Sequence, residues 1–451
     1  MFPPDSIKQA ASSCAYGMMK YYKGNETGMP LGLLPDPYYW WEAGAMFGTM
    51  VEYWYYTGDD TYNDVVTEGL LAQVGPDNDF MPPNQTKTEG NDDQAFWAFA
   101  TLSAAEVKFP DPPKGKPSWL ALSQAVFNLQ AARWDTQNCG GGLRWQVFTF
   151  NKGYDYKNSI SNGGFFQLAA RLARYTKNET YANWAEKTYD WMLTTPLFTD
   201  DYVIYDGAQI ENNCTIASKL QWTYNIGTFL IGAANMYNYV SVQRIAAPAS
   251  YAYTTQTNGD QKWRTRVEGL LNGTQAFFPT QYGGNTMVEI ACEPQQTCNY
   301  DQPSFKAYLS RWMAATTQLA PFTFDFIKDK LRDSANGAAG QCDGGTDGMT
   351  CGRTWHSTTW DGKYGVGEQM SALSVIQSNL ISKVSGPVTS DNGGTSQGDP
   401  SAGGGGDNAA EAAIDPNAGH SITTADRAGA GILTALVLGS FAGCTWWICF
   451  V

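Results

Sequence analysis

Histidine is almost missing from this chain: its 451 residues hold only two. His420 lies in a low-complexity tail, which leaves His356 as the one imidazole open to chemistry. Ser-His-Asp catalysis needs an imidazole to carry the proton, and multi-histidine metal sites need several ligands, so both are poor fits. Basic residues are scarce as well. Lys and Arg total 29 against 43 Asp and Glu, for a formal net charge of −14. Nucleic acid and anionic membrane surfaces attract basic patches, so neither suits as a partner. Zinc-type cysteine spacing is absent. The first residues, Met1-Phe2-Pro3-Pro4-Asp5, hold no basic and apolar leader pattern. A secretory signal is therefore expected to have been removed or to lie upstream of this start.

What is present is apolar and aromatic. Hydrophobic residues make up 43% of the chain, with 16 Trp and 25 Tyr, enough to bury a large core. With histidine excluded, acid–base work falls to carboxylates. Cys292 and Cys298 are close in sequence, as are Cys342 and Cys351, and each pair suits a small disulfide loop. Cys139 and Cys214 suit a longer one, which leaves Cys14 odd. Asn25, Asn84, Asn178, Asn213 and Asn272 each head an Asn-x-Thr sequon. Cysteines and sequons together favour the secretory pathway.

Three regions follow from composition. Residues 1–384 are the folded domain, 385–419 form a Gly/Ser/Asp-rich stalk expected to be disordered, and 420–451 end in an uncharged apolar run from Ala428 to Val451. Small residues at Asn417-Ala418-Gly419, a polar spacer and that run match a GPI-attachment signal, with Asn417 as attachment site. A second candidate region is Gly406-Asp407-Asn408, and a C-terminal membrane helix is the alternative reading of the tail.

Helical periodicity dominates residues 1–384. Six segments are amphipathic with charges: Ile7–Tyr22, Tyr62–Val74, Ser118–Trp134, Tyr181–Thr194, Trp263–Phe278 and Phe324–Ala338. Six others are nearly apolar: Trp40–Tyr56, Asp92–Val107, Ser159–Tyr175, Trp222–Tyr239, Ser304–Leu319 and Gly367–Leu380. A helix that is apolar all round is buried. Alternation of the two kinds predicts an all-α (α/α)6 barrel, six inner helices wrapped by six outer ones. An internal echo supports repetition: Tyr55-Tyr56-Thr57-Gly58-Asp59-Asp60-Thr61-Tyr62 resembles Arg174-Tyr175-Thr176-Lys177-Asn178-Glu179-Thr180-Tyr181.

In such a barrel the entrances of the inner helices converge on one funnel. Gly90-Asn91-Asp92-Asp93-Gln94 puts two adjacent acids at one entrance. Like charges held close split their pKa values, giving one proton donor and one anion, the two groups glycoside hydrolysis needs. Helix capping is the competing explanation, since acids favour the first turn. Adjacent helical positions bring two carboxylates near the ~5–5.5 Å separation of retaining enzymes. Around the pair, amide and aromatic residues suit a neutral sugar: Trp40, Trp41, Asn91, Gln94, Asn158, Asn162, Tyr224, Asn225 and Gln369. Glu42 and Glu368 read equally as sugar contacts or as capping and ion-pair groups.

Glu89-Gly90-Asn91-Asp92-Asp93-Gln94, Tyr39-Trp40-Trp41-Glu42-Ala43-Gly44, Lys157-Asn158-Ser159-Ile160-Ser161-Asn162-Gly163 and Gly365-Val366-Gly367-Glu368-Gln369-Met370 resemble glycoside hydrolase family 76. The similarity spans about Ala15 to Ile381 and is nearest to the family's fungal, GPI-anchored mannan endo-1,6-α-mannosidase-like branch. The resemblance implies an (α/α)6 fold, a retaining mechanism, Asp92 as nucleophile and Asp93 as general acid/base. It implies an α-mannoside substrate, mannan or a GPI-core glycan, and transfer of GPI-linked mannoproteins to wall β-glucan in cell-wall biogenesis. It also implies a monomer, GPI-anchored on the outer face of the cell membrane and in the cell wall. No cofactor or metal is required by this chemistry. The alternative is a non-catalytic glycan-binding protein of the wall.

Overall fold

In the computed structural model, residues 3–246, 257–403 and Thr434 are described. Among them run twelve α-helices: α1 Pro4–Met19, α2 Trp40–Thr57, α3 Asn63–Ala72, α4 Asn91–Glu106, α5 Trp119–Ala132, α6 Ser159–Thr176, α7 Glu179–Leu193, α8 Thr223–Ala246, α9 Thr257–Thr274, α10 Phe305–Leu319, α11 Phe324–Ala339 and α12 Val366–Ser378. The even-numbered helices pack each on the next, and α12 returns to α2, closing a ring. The odd-numbered helices lie outside it: α1 on α12 and α2, α3 on α2, α5 on α4 and α6, α7 on α6 and α8, α9 on α8, α11 on α10 and α12. This is an (α/α)6 barrel.

The burial of each helix follows its sequence. All thirteen residues of α12 are buried, and in α4 only the paired acids are not fully so. In α7 the buried Tyr181, Ala182, Trp184, Ala185, Thr188, Tyr189 and Met192 recur every three to four residues, one face of an outer helix. Inner helices approach closely where glycine meets an aromatic ring. A Cβ at Gly44 of α2 would lie 2.7 Å from the Trp97 ring of α4, and one at Gly227 of α8 would lie 2.6 Å from Trp312 of α10.

The internal echo has a structural basis. Gly58 and Lys177 both end an inner helix in the left-handed conformation, φ 78° and 61°. The next residue then caps the following turn: Asp59 Oδ1 accepts from the Thr61 N–H and Asn178 Oδ1 from the Thr180 N–H. Helix boundaries shift modestly from the periodicity. α1 begins at Pro4 rather than Ile7, since proline suits the first turn, and α8 runs on past Tyr239.

Two features depart from the sequence pattern. A three-stranded antiparallel sheet, β1 Tyr156–Asn158, β2 Gly207–Gln209 and β3 Ala217–Ser218, sits in the loops before α6 and α8. Its strands are too short to show a period of two. The second departure concerns the stalk, whose composition predicts disorder from residue 385. Residues 385–403 instead lie along the barrel as a strap. Val388 N–H donates to Glu106 O at 2.8 Å and Ser390 N–H to Tyr175 O at 3.0 Å. Arg174 donates to the carbonyls of Pro387 and Val388, and Asn128 Nδ2 to those of Pro400 and Ala402. Glu106 and Tyr175 lie at the C-terminal ends of α4 and α6, where helix carbonyls have no intrahelical donor. The strap supplies those donors, which composition alone does not reveal. Residues 404–419, Asn417 and the apolar run Ala428–Val451, apart from Thr434, lie outside the described residues. Among the described residues no helix is long and apolar enough to cross a membrane.

Disulfides join Cys139 to Cys214, Cys292 to Cys298 and Cys342 to Cys351. Cys14 is a buried thiol 3.7 Å from Cys351 Sγ, pushed up to about 12 by burial. All five sequon asparagines are exposed.

Candidate active site

The N-terminal ends of the inner helices form a mouth, and α4 brings the paired acids to it. Asp93 Oδ2 accepts the Gly90 N–H at 2.7 Å, so this acid does cap its helix. A loop is stitched beside the pair: Asn91 N–H donates to Trp145 O at 2.8 Å, Val147 N–H to Glu89 O at 3.1 Å and Trp145 N–H to Tyr156 O at 2.7 Å. The small sheet holds a third wall, where Tyr156 Oη donates to Asp206 Oδ2 at 2.8 Å.

Two cavities meet at the mouth. The first, about 240 Å³, is lined by both Asp92 and Asp93, with Trp41, Phe96, Trp145, Tyr156, Asn158, Asp206, Leu220, Trp222, Tyr224, Asp301, Gln302 and Phe305. The second, about 380 Å³, shares Trp41, Asp93, Trp145 and Asp301 with the first but does not include Asp92. Asp93 thus stands between two compartments while Asp92 faces one. Gly90 has no room for a side chain: a Cβ there would lie 2.3 Å from Asp92 Oδ1 and 2.9 Å from Asp93 Oδ2. Those two oxygens are therefore no more than roughly 5 Å apart, which brings the two carboxyl groups to one side of the cavity.

Burial and charge act on both acids. Burial raises Asp92 to about 7, opposed by the backbone N–H groups of Asp92 and Asp93 and by the Asn158 and Trp145 side chains. Asp93 is raised well above the ordinary carboxylate range, first by burial and then by the Asp92 charge. The Gly90 N–H opposes that rise, while Asp301 and Glu89 add to it. Both acids are raised by burial, and the charge of one opposes ionisation of the other, so the pair favours holding one proton between two carboxyls.

The sugar contacts expected from sequence divide three ways. Trp41, Asn158 and Tyr224 line the first cavity, Tyr224 stacked on Phe305 at a centroid distance of 3.8 Å. Trp40 lines the second cavity, stacked on Trp97, with Nε1 donating to Gln73 Oε1 at 2.9 Å. Four of the remaining amides, Asn91, Gln94, Asn162 and Gln369, are spent on the fold. Asn91 binds the Arg144 carbonyl and Arg133; Gln94 binds the Asp79 carbonyl and Arg133; Asn162 binds both backbone groups of Leu143. Gln369 accepts from the Cys351 N–H and donates to the Cys14 and Met349 carbonyls. Asn225 is fully buried and lies against Asp206, outside both linings. Amides at a helix entrance were as useful for pinning loops as for binding hydroxyls, and sequence does not separate the two uses. Glu42 caps α2 through the Tyr39 N–H at 2.8 Å, and Glu368 pairs with Arg353. His356 is an exposed loop residue stacked on Tyr282.

Asp301, Asp206, Tyr156 and Trp145 were not legible as site residues. Asp301 comes from the entrance of α10, the one inner helix missing from the set of predicted mouth contacts. The other three come from the long loops before α6 and α8, where length itself is the available signal.

A closed double ring of helices with paired carboxylates at the inner mouth defines a glycoside hydrolase of the (α/α)6 type. The chain belongs to glycosyl hydrolase family 76, whose model matches residues 6–391. It is 46% identical over 448 residues to mannan endo-1,6-alpha-mannosidase DCW1 of Saccharomyces cerevisiae, covering 99% of this chain and 94% of that one. It is 45% identical over 447 residues to mannan endo-1,6-alpha-mannosidase DFG5 of the same yeast, covering 99% and 92%. The crystal structure of Dfg5 from Chaetomium thermophilum in complex with glucosamine superposes with a TM-score of 0.82 at 45% identity, over 90% of this chain and 98% of that one. An inactive variant of the α-1,6-mannanase GH76A from Salegentibacter, with two adjacent aspartates changed to asparagine and α-1,6-mannotriose bound, shares the fold at TM-score 0.63 and 15% identity, over 83% and 99%.

Proposed function

We propose that this enzyme is a retaining glycosidase and transglycosidase of α-1,6-mannosidic linkages, in mannan or a GPI-core glycan. The observation that carries this reading is the asymmetric placement of the pair, Asp92 facing one cavity and Asp93 facing both. The names of the relatives, endo-1,6-alpha-mannosidases, and the mannotriose held by the bacterial neighbour support the substrate class.

The sugar to be transferred occupies the first cavity and the leaving glycan the second. Asp93 gives its proton to the glycosidic oxygen as the bond to the anomeric carbon breaks. An Asp92 oxygen bonds to that carbon, forming a glycosyl ester and releasing the leaving glycan as an alcohol. Asp93, now a carboxylate, takes a proton from the hydroxyl that enters the second cavity. That oxygen bonds to the anomeric carbon and Asp92 leaves as a carboxylate. Water gives hydrolysis; a sugar hydroxyl, as on wall β-glucan, gives transfer. Trp41 and Tyr224 offer flat faces to the ring's C–H surface.

The disulfides and exposed sequons support passage through the secretory pathway. Attachment at Asn417 would then place the enzyme on the outer face of the membrane and in the wall. The test is incubation with α-1,6-manno-oligosaccharides, alone and with β-glucan acceptors. Cleavage or transfer by the wild type that Asp92→Asn and Asp93→Asn abolish supports the proposal. Binding of glycan by the wild type with neither product contradicts it.

A further inference from the structure

A third cavity, about 470 Å³, adjoins the second. Asn299 lines both it and the second cavity, and Tyr38 and Tyr39 fall one on each side of the divide. Its floor is the ion pair of Arg353 and Glu368, 9% and 3% exposed, with Arg353 Nη2 at 2.6 Å from Glu368 Oε1. Its rim carries Tyr300 and Tyr364, 60% and 66% exposed, among the largest exposed aromatic surfaces of the described residues.

These walls are built to stay in place. Tyr300 lies two residues beyond the small loop closed by Cys292–Cys298, and Arg353 two residues beyond the one closed by Cys342–Cys351. Lys306, buried at the start of α10, ties the two loops together. Its ammonium lies 2.7 Å from Glu293 of the first loop and donates to the Arg353 carbonyl, just past the second, at 2.8 Å. A stapled, tied loop pair loses little entropy when a ligand binds.

The geometry points to this cavity as a subsite for a neutral pyranose chain, the remote part of the glycan that leaves or enters through the second cavity. Exposed tyrosine faces match the C–H faces of sugar rings. The floor offers donors from a guanidinium and acceptors from a carboxylate, suited to neighbouring hydroxyls. The two floor charges cancel each other, and Lys363 adds one exposed cation to the lining. The direction of the chain rests on the catalytic reading above; the presence of the subsite does not.

The test uses Asp92→Asn protein, which removes turnover, titrated by calorimetry with α-1,6-manno-oligosaccharides and β-1,3-gluco-oligosaccharides of increasing length. Affinity is expected to rise once a chain is long enough to reach the third cavity. Replacing Tyr300 and Tyr364 together by Ala is expected to remove that gain, about tenfold in Kd, while leaving the shortest chains unaffected. A gain in the mannose series marks the leaving glycan's path, and one in the glucose series marks the acceptor's. A gain in neither, or a gain that survives the tyrosine replacements, overturns the subsite. Should the wild type fail to cleave mannosides while the tyrosine-dependent gain persists, the subsite stands and the catalytic reading falls.

Discussion

The cavity that holds the paired acids and the far end of the inner ring treat buried charge in opposite ways, although Glu368 and Glu293 near the same mouth do have cations, Arg353 and Lys306. At the N-terminal mouth, Asp92, Asp93, Asp206 and Asp301 line one cavity, and no cation is among its lining residues. Among the described residues at the C-terminal end, Glu106 and Glu52, which line one cavity, each have a guanidinium. Glu106 pairs with Arg171 at 2.7 Å and Glu52 with Arg311 at 2.8 Å, and the strap closes over that end. Buried carboxylates are costly unless paired. The C-terminal end offsets that cost with partners and is a plug. The cavity of the paired acids leaves it in place, and the cost appears as raised pKa values, Asp92 at about 7 and Asp93 well above the ordinary carboxylate range. The same residue type is structural at one end and reactive at the other because of what stands beside it.

Breaking the comparison at the mouth has the largest expected effect. Asp93→Asn and Asp92→Asn each lower kcat by about a thousandfold or more on α-1,6-mannosides, measured by product release. At the other end the sign of the damage reverses. Glu106→Gln strands the Arg171 charge and costs about 3–5 kcal/mol in urea unfolding, with kcat of the folded enzyme unchanged. Loss of activity without loss of stability from Glu106→Gln would erase the distinction between the ends.

Stability against pH sharpens it further. Asp92 binds its proton more tightly folded than unfolded, so it costs stability as pH rises from the ordinary Asp value of ~4 towards about 7. Asp92→Asn should therefore raise Tm by a few degrees at neutral pH, with the gain vanishing near pH 4. The smallest effect is on the alkaline limb of the rate profile. Asp301 helps to hold Asp93 protonated, so Asp301→Asn lets Asp93 ionise earlier and moves that limb to lower pH. A shift to higher pH would contradict the assigned proton donor.

How much of this was legible depended on the scale of the signal. The twelve helices and their inner or outer positions followed from apolar periodicity, because burial on all sides and burial on one side leave different patterns over many residues. The acids at 92 and 93 stood out because adjacency is local. Asn91, Gln94, Asn162 and Gln369 misled because a buried amide satisfies a carbonyl as readily as a sugar hydroxyl. Asp206 and Asp301 were hidden because loops without periodicity deliver them, placed by a sheet of two- and three-residue strands and by the turn before α10. The strap at 385–403 reads as disordered because its bonds are made by its backbone, to helix-end carbonyls far away in sequence.

In the proposed reaction Asp92 and Asp93 act as nucleophile and acid on one anomeric carbon. The most direct measurement is the anomeric configuration of the first sugar released from an α-1,6-manno-oligosaccharide, followed by proton NMR before mutarotation. Two successive displacements at that carbon give the α-anomer as first product. The β-anomer as first product would show a single displacement by water and contradict the proposed reaction.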